Sequence, residues 1–108
     1  MYNVVFLSDN NKDFSKSNVS TMKYMRGIFY YPDSSVLTLP QSLSLDSATD
    51  ISYCFANAYF TSFSHTLSNA ITAIKCFYQC KSLTKFSSNN SSLIKANKMF
   101  ELCEKLKK

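Results

Sequence analysis

Four cysteines and a single histidine carry most of this chain's capacity for metal binding or nucleophilic attack. Cys76 and Cys80 are four residues apart, which on a helix would place two thiols on one face as half of a metal site. A zinc site needs two further ligands nearby, and His65 falls in a connecting stretch. The thiols are therefore read as small apolar packing groups, and stoichiometric zinc in a metal assay would overturn that reading. His65 lies between Ser64 and Thr66, but adjacent residues do not form a nucleophile–base relay, and no orienting acid accompanies them. Glu101 and Glu104, the two glutamates, show no carboxylate pairing suited to general acid–base work. The sequence thus predicts a protein that is not an enzyme and uses neither metal nor cofactor.

The residues recur in an order that explains them better than catalysis does. Ala48-Thr49-Asp50-Ile51-Ser52-Tyr53-Cys54-Phe55 aligns with Ala70-Ile71-Thr72-Ala73-Ile74-Lys75-Cys76-Phe77 and with Leu93-Ile94-Lys95-Ala96-Asn97-Lys98-Met99-Phe100. Phe55, Phe77 and Phe100 are 22 and then 23 residues apart, the spacing of a repeat protein. Second matches follow as Phe55-x-x-Ala58, Phe77-x-x-Cys80 and Phe100-x-x-Cys103. Third matches are Phe60-Thr61-Ser62-Phe63, Leu83-Thr84-Lys85-Phe86 and an unfinished Leu106-Lys107-Lys108. A weaker copy precedes them in Val19-Ser20-Thr21-Met22-Lys23-Tyr24-Met25 and Val36-Leu37-Thr38-Leu39.

Apolar residues within a copy fall at helical spacing: Ala70, Ala73, Cys76, Phe77 and Cys80, then Leu93, Ala96, Met99, Phe100 and Cys103. Asn18, Ser47, Ser68, Asn69 and Ser92 precede these runs as N-cap candidates, and Ser47-Ala48-Thr49-Asp50 resembles a capping box. The Leu-x-x-Phe pieces read as short strands. The expected fold is α/β: a short right-handed solenoid of three to four coils, each a strand plus a short helix. Its strands would stack in parallel about 4.8 Å apart. The whole chain reads as one domain. Residues 1–17 form an N-terminal cap, 18–46 an irregular first repeat, and 47–67, 68–90 and 91–108 the regular repeats, the last incomplete.

These residues also carry a family resemblance. Asp13-Phe14-Ser15-Lys16-Ser17-Asn18-Val19-Ser20-Thr21-Met22-Lys23-Tyr24-Met25 resembles the Phe-Asp-Thr-Ser-Asn-Val-Thr-Asp-Met-x-x-Met-Phe pattern of BspA-like leucine-rich repeats. Cys76-Phe77-Tyr78-Gln79-Cys80-Lys81-Ser82-Leu83-Thr84-Lys85-Phe86 is similar to that family's Met-Phe-x-x-Cys-x-x-Leu-x-x-Leu segment. The resemblance spans about residues 11–108 and implies a leucine-rich-repeat solenoid. Members commonly act as non-enzymatic adhesion or protein-binding modules, often on cell surfaces.

Two surfaces stand out where the repeat is broken or decorated. Met25 to Cys54 is 29 residues against 22 for Cys54 to Cys76, so the first coil is read as holding about seven extra residues within Arg26-Gly27-Ile28-Phe29-Tyr30-Tyr31-Pro32-Asp33. Arg26, Phe29, Tyr30 and Tyr31 are of types enriched at interface hot spots, so they are candidate partner-binding residues; the alternative is that Ile28 and Phe29 close the end of the core. The second surface is basic. Net charge is +5, and residues 75–108 hold eight lysines against two glutamates. Lys75 and Lys98 share a repeat position, as do Lys85 and Lys108; with Lys81, Lys95, Lys105 and Lys107 they could line a basic ridge. That end is read either as facing something acidic or as a self-repelling, solvated cap.

The hydrophobic fraction of 45% and aromatic fraction of 15% suit a packed core. One glycine and two prolines leave no material for a Gly-rich phosphate loop. No apolar run suits a membrane span, and the N-terminal stretch lacks a basic signal-peptide region. The predicted location is the cytoplasm, with reduced thiols. The expected function is protein binding by surface occlusion; the partner is another protein, with a nucleic-acid-handling one among the candidates. A phage-encoded inhibitor of a CRISPR-type nuclease is one concrete form. Direct nucleic-acid binding through the lysine-rich coils is an alternative, although arginines and interleaved aromatics would be the usual equipment. A fragment of a cell-surface adhesin is another.

Overall fold

Phenylalanines one repeat apart lie face to face. In the computed structural model, which describes residues 18–29 and 38–106, the Phe29 and Phe55 rings stack at 5.3 Å and 9°. Phe55 and Phe77 follow at 5.6 Å and 14°, then Phe77 and Phe100 at 5.5 Å and 10°. A shorter column, Phe63 on Phe86 at 5.5 Å, meets the first edge-on, with Phe63–Phe77 and Phe86–Phe100 both at 4.8 Å. Edge-to-face and offset contacts of this kind are favoured by the ring quadrupole. They interlock the two columns into one core, completed by Leu45, Leu67, Ile51, Leu83 and the small residues Ala48, Ala70 and Ala73.

The backbone follows the same stacking. Parallel bridges join Tyr24 to Asp50, Asp50 to Thr72 and Thr72 to Lys95, so four segments lie in register. On another part of the circuit β1 (Ser62–Phe63) pairs in parallel with β2 (Lys85–Phe86). These two Leu-x-x-Phe-type segments are therefore strands. A single 3₁₀ turn, Asn18–Thr21, opens the described chain.

The segments whose apolar spacing reads as helix have a different backbone. Residues 51–58 form a succession of tight turns in which N–H groups alternate between two kinds of partner. Cys54, Ala56 and Ala58 donate back to the carbonyls of Ile51, Tyr53 and Phe55. Ile51, Tyr53, Phe55 and Asn57 donate sideways to Thr72, Ile74, Cys76 and Tyr78, at 2.8–3.0 Å. The next copy repeats the pattern, with Ala73, Lys75, Phe77 and Gln79 donating to Lys95, Asn97, Met99 and Glu101. An α-helix would use all of these donors internally and leave none for the neighbouring copy. The sideways turns need left-handed residues, and these recur in two rows: Gly27, Tyr53, Lys75 and Lys98 at φ 67°, 60°, 53° and 56°, and Asn57, Gln79 and Leu102 at 66°, 57° and 64°.

Apolar spacing predicts the inside of these arcs correctly even so. Ala70, Ala73, Cys76, Phe77 and Cys80 are all buried, because turns closing every three residues point nearly the same positions inward as a helix does. Asp50 likewise does not close a capping box. Its Oδ1 accepts from the Ser52 N–H two residues on, at 3.0 Å, and the buried Ser52 hydroxyl then accepts from Ile74 N–H at 3.1 Å.

The first copy sits in a different register from the one its sequence suggests. Met25 N–H bonds Asp50 O as Ile51 N–H bonds Thr72 O, so Met25 corresponds to Ile51, three residues from the Cys54 match. Arg26-Gly27-Ile28-Phe29 is therefore the first arc itself and not an insertion. The extra length falls after Phe29, and 30–37, including Tyr30 and Tyr31, lie outside the described residues. So do the expected cap at 1–17 and Lys107 and Lys108. No helix among the described residues is long and apolar enough to cross a membrane.

Candidate functional site

The groups with reactive potential are occupied structurally. Cys54 and Cys76 are buried one copy apart in the core. Burial pushes both thiols upward from their ordinary range, and the neighbouring Cys54 adds to the rise at Cys76. Cys80 and Cys103 donate to the carbonyls of Phe55 and Phe77 respectively, at 3.2 and 2.9 Å. Among the described residues no three His, Cys, Asp or Glu side chains are grouped as metal ligands. His65 Nε2 bonds the Pro40 carbonyl at 3.0 Å, which requires the proton on Nε2. Ser88 Oγ donates to the His65 carbonyl at 2.7 Å, so His65 latches a corner between copies, by its ring on one side and its backbone carbonyl on the other. Its contact with the Phe63 ring at 5.5 Å fits that role.

The residues expected to bind a partner are dispersed. Phe29 is 0% exposed and stacked on Phe55; it belongs to the core and not to a binding surface, because it is the first member of the phenylalanine column. Arg26 is exposed and pairs with Asp50 at 3.6 Å. Lys75, at a left-handed position, reaches over the Tyr78 ring at 5.1 Å. Lys98, one copy later, reaches Glu101 at 3.9 Å in the same i,i+3 relation. Lys81 borders a small depression of about 120 Å3 with Asn57, Tyr59 and Gln79. Lys85 lies in β2 and Lys95 in the row of bridges, so the lysines occupy three separate parts of the circuit instead of one ridge.

The row of bridges carries a surface that the sequence reading passed over. Lys23, Thr49, Ile71 and Ile94 occupy one repeat position. The Lys23 carbonyl accepts from Thr49 and Asp50, the Thr49 carbonyl from Ile71 and Thr72, and the Ile71 carbonyl from Ile94 and Lys95. Their side chains leave the core, since the flanking Ala48, Ala70, Ile51 and Ala73 take the inward positions. Ile71 is 43% and Ile94 78% exposed. With Lys23, Thr49, Ser47, Asn69 and Ser91 they line an open groove of about 710 Å3. Tyr24, 63% exposed, stands beside Lys23, and Lys95 beside Ile94. The available signal was positional: Ile71 and Ile94 occupy the same place in two copies, off the predicted apolar face.

Searches against protein-family models, characterised proteins and solved structures found no match for this chain.

Proposed function

We propose that this chain is a non-enzymatic, protein-binding repeat domain of the BspA-like leucine-rich-repeat type, which acts by covering a surface of its partner through the groove centred on Ile71 and Ile94. The parallel stacking of copies at 22- and 23-residue intervals supports the solenoid reading. One observation carries the functional reading. Of the large apolar side chains exposed among the described residues (Tyr24, Tyr59, Ile71, Ile94 and Leu102), two, Ile71 and Ile94, lie together on the bridge face and line one groove. Leaving such groups in water forfeits their burial free energy, roughly 1.5–3 kcal/mol for a fully buried isoleucine, and clustered exposure of this kind marks interaction sites. Thr49, Asn69 and the serines supply a polar rim, and Lys23 and Lys95 favour a partner with acidic residues around an apolar centre.

The test compares capture of partners from the native host by the wild-type chain, by the double variant Ile71→Asp/Ile94→Asp and by Lys85→Glu. Both Ile side chains are exposed, so melting should change little. A partner held by the wild type and by Lys85→Glu should bind the double variant at least about tenfold more weakly. Equal capture by all three proteins would remove the groove from the binding surface.

A further inference from the structure

Cys80 and Cys103 occupy one repeat position in adjacent copies. Each closes the same turn, Cys80 N–H onto Phe77 O and Cys103 N–H onto Phe100 O. Each thiol donates to the phenylalanine carbonyl of the preceding copy, and the two thiols lie close enough to shift one another's titration. Adjacent parallel segments run about 4.8 Å apart, which lies within the roughly 4.4–6.8 Å Cα separation that a disulfide spans. Cys54 and Cys76 are stacked in the same way, but both are fully buried, whereas Cys103 is partly open to solvent. The same fold thus contains two thiol pairs with alike geometry and unlike access.

We propose that Cys80 and Cys103 form a redox-active dithiol that hydrogen peroxide converts to a disulfide, stapling the last described copy to the one before it. Electrostatics assigns the order of events. The neighbouring Cys80 thiol lowers the Cys103 thiol below its ordinary range, while Cys103, and then burial, raise Cys80. Cys103 is therefore the thiolate that attacks. Its sulfur displaces one peroxide oxygen as the O–O bond breaks, leaving a sulfenic acid on Cys103 and releasing water once the leaving oxygen is protonated. Cys80 then attacks the sulfenic sulfur; the S–S bond forms, the S–O bond breaks, and the Cys80 proton leaves with the hydroxyl as a second water. Two thiols are oxidised by two electrons and one peroxide is reduced to two waters.

The consequence falls on the last described copy. Met99 and Phe100 have neighbours from the core on one side, and Leu93, Ala96, Phe100, Cys103 and Leu106 are only partly buried. A covalent tie at Cys103 would hold this copy against Phe77 when its noncovalent contacts open. The inference does not depend on the proposed binding groove, which lies on another part of the circuit.

Hydrogen peroxide applied to the native full chain tests it. Peptide mapping should recover a Cys80–Cys103 disulfide with the intact mass lowered by two hydrogens, while Cys54 and Cys76 remain free thiols. In Cys80→Ser, dimedone should trap a sulfenic acid on Cys103 in place of the link. Hydrogen exchange at the amides of 96–103 should slow on oxidation of the wild type and be unaffected by peroxide in Cys103→Ser. The double variant Cys54→Ser/Cys76→Ser should still form the link. Recovery of Cys103 as sulfinic acid without a link, of a Cys54–Cys76 disulfide, or of unmodified thiols under conditions that oxidise a free cysteine would each overturn the proposal.

Discussion

Among the described residues, Phe77 touches more of the core's aromatic rings than its repeat equivalents do. It stacks between Phe55 and Phe100 and takes edge contacts from Phe60, Phe63 and Phe86. Removing the ring deletes apolar burial and leaves a cavity whose walls are rigid, since every neighbour is itself held by another ring. Phe77→Ala should cost about 3–5 kcal/mol, a large share of the roughly 5–15 kcal/mol that holds a domain folded. Denaturant unfolding measures it, and a loss under about 1 kcal/mol would show that the columns repack around the gap. At this scale the sequence was highly legible. Residue type and repeat position identified Phe55, Phe77 and Phe100 as equivalent, and the stacked rings occupy equivalent places. Phe29 stands between two readings, core end and binding surface, because its copy is offset and it adjoins Tyr30 and Tyr31; the stack on Phe55 decides for the core.

The arcs show where local preference gives way. Five residue types other than glycine (Tyr, Lys, Gln, Leu and Asn) adopt left-handed backbone at the two recurrent positions, a conformation that costs roughly 1–2 kcal/mol for most of them. The cross-copy hydrogen bonds from Tyr53, Lys75, Asn57 and Gln79 offset that cost. Gly27, the one glycine of the chain, stands at the same position in the first copy, where φ is 67°. A Cβ placed there meets nothing within 4 Å, so a substitution is felt through the backbone alone. Gly27→Ala should destabilise by about 1 kcal/mol without disturbing the Phe29–Phe55 stack. Chemical denaturation measures the first; unchanged near-ultraviolet circular dichroism checks the second. No propensity argument on Tyr53 or Lys75 alone would place them in this region, so helical spacing by itself points to a helix.

Across the whole molecule, the hydrogen bonds between copies have a direction. In the arcs each copy donates N–H groups to the carbonyls of the next. The fourth copy accepts in this way, and its own outward N–H groups at Ala96, Lys98, Phe100 and Leu102 meet no carbonyl among the described residues. Among the described residues that row presents donors to no further copy. Exchange protection should accordingly be graded. The amides of Tyr53, Phe55, Lys75 and Phe77 should exchange only through global unfolding, and those of Ala96, Lys98, Phe100 and Leu102 by local opening. Residue-resolved hydrogen exchange reads this directly. Uniform protection along the four copies would mean that the stack opens as a single unit instead of fraying from its last copy.

The lysines make the same point about distance. In the chain they accumulate toward one end and suggest a continuous basic ridge; in space Lys85, Lys95 and the Lys75–Lys98 pair belong to separate sides of the circuit. The exposed Ile71 and Ile94 pair went unremarked for the complementary reason. An isoleucine outside the predicted apolar face has no local mark of exposure, and only the bridges through Thr49 and Ile71 set the two side chains next to each other above a groove. What the sequence determined by itself is the period, the equivalence of positions between copies and the set of residues that turn inward, because burial depends on spacing and residue type. The tertiary structure decided the form of the backbone, the register of the first copy and the composition of each face. Those depend on which carbonyl each N–H finds, and most of the deciding partners are a full repeat away.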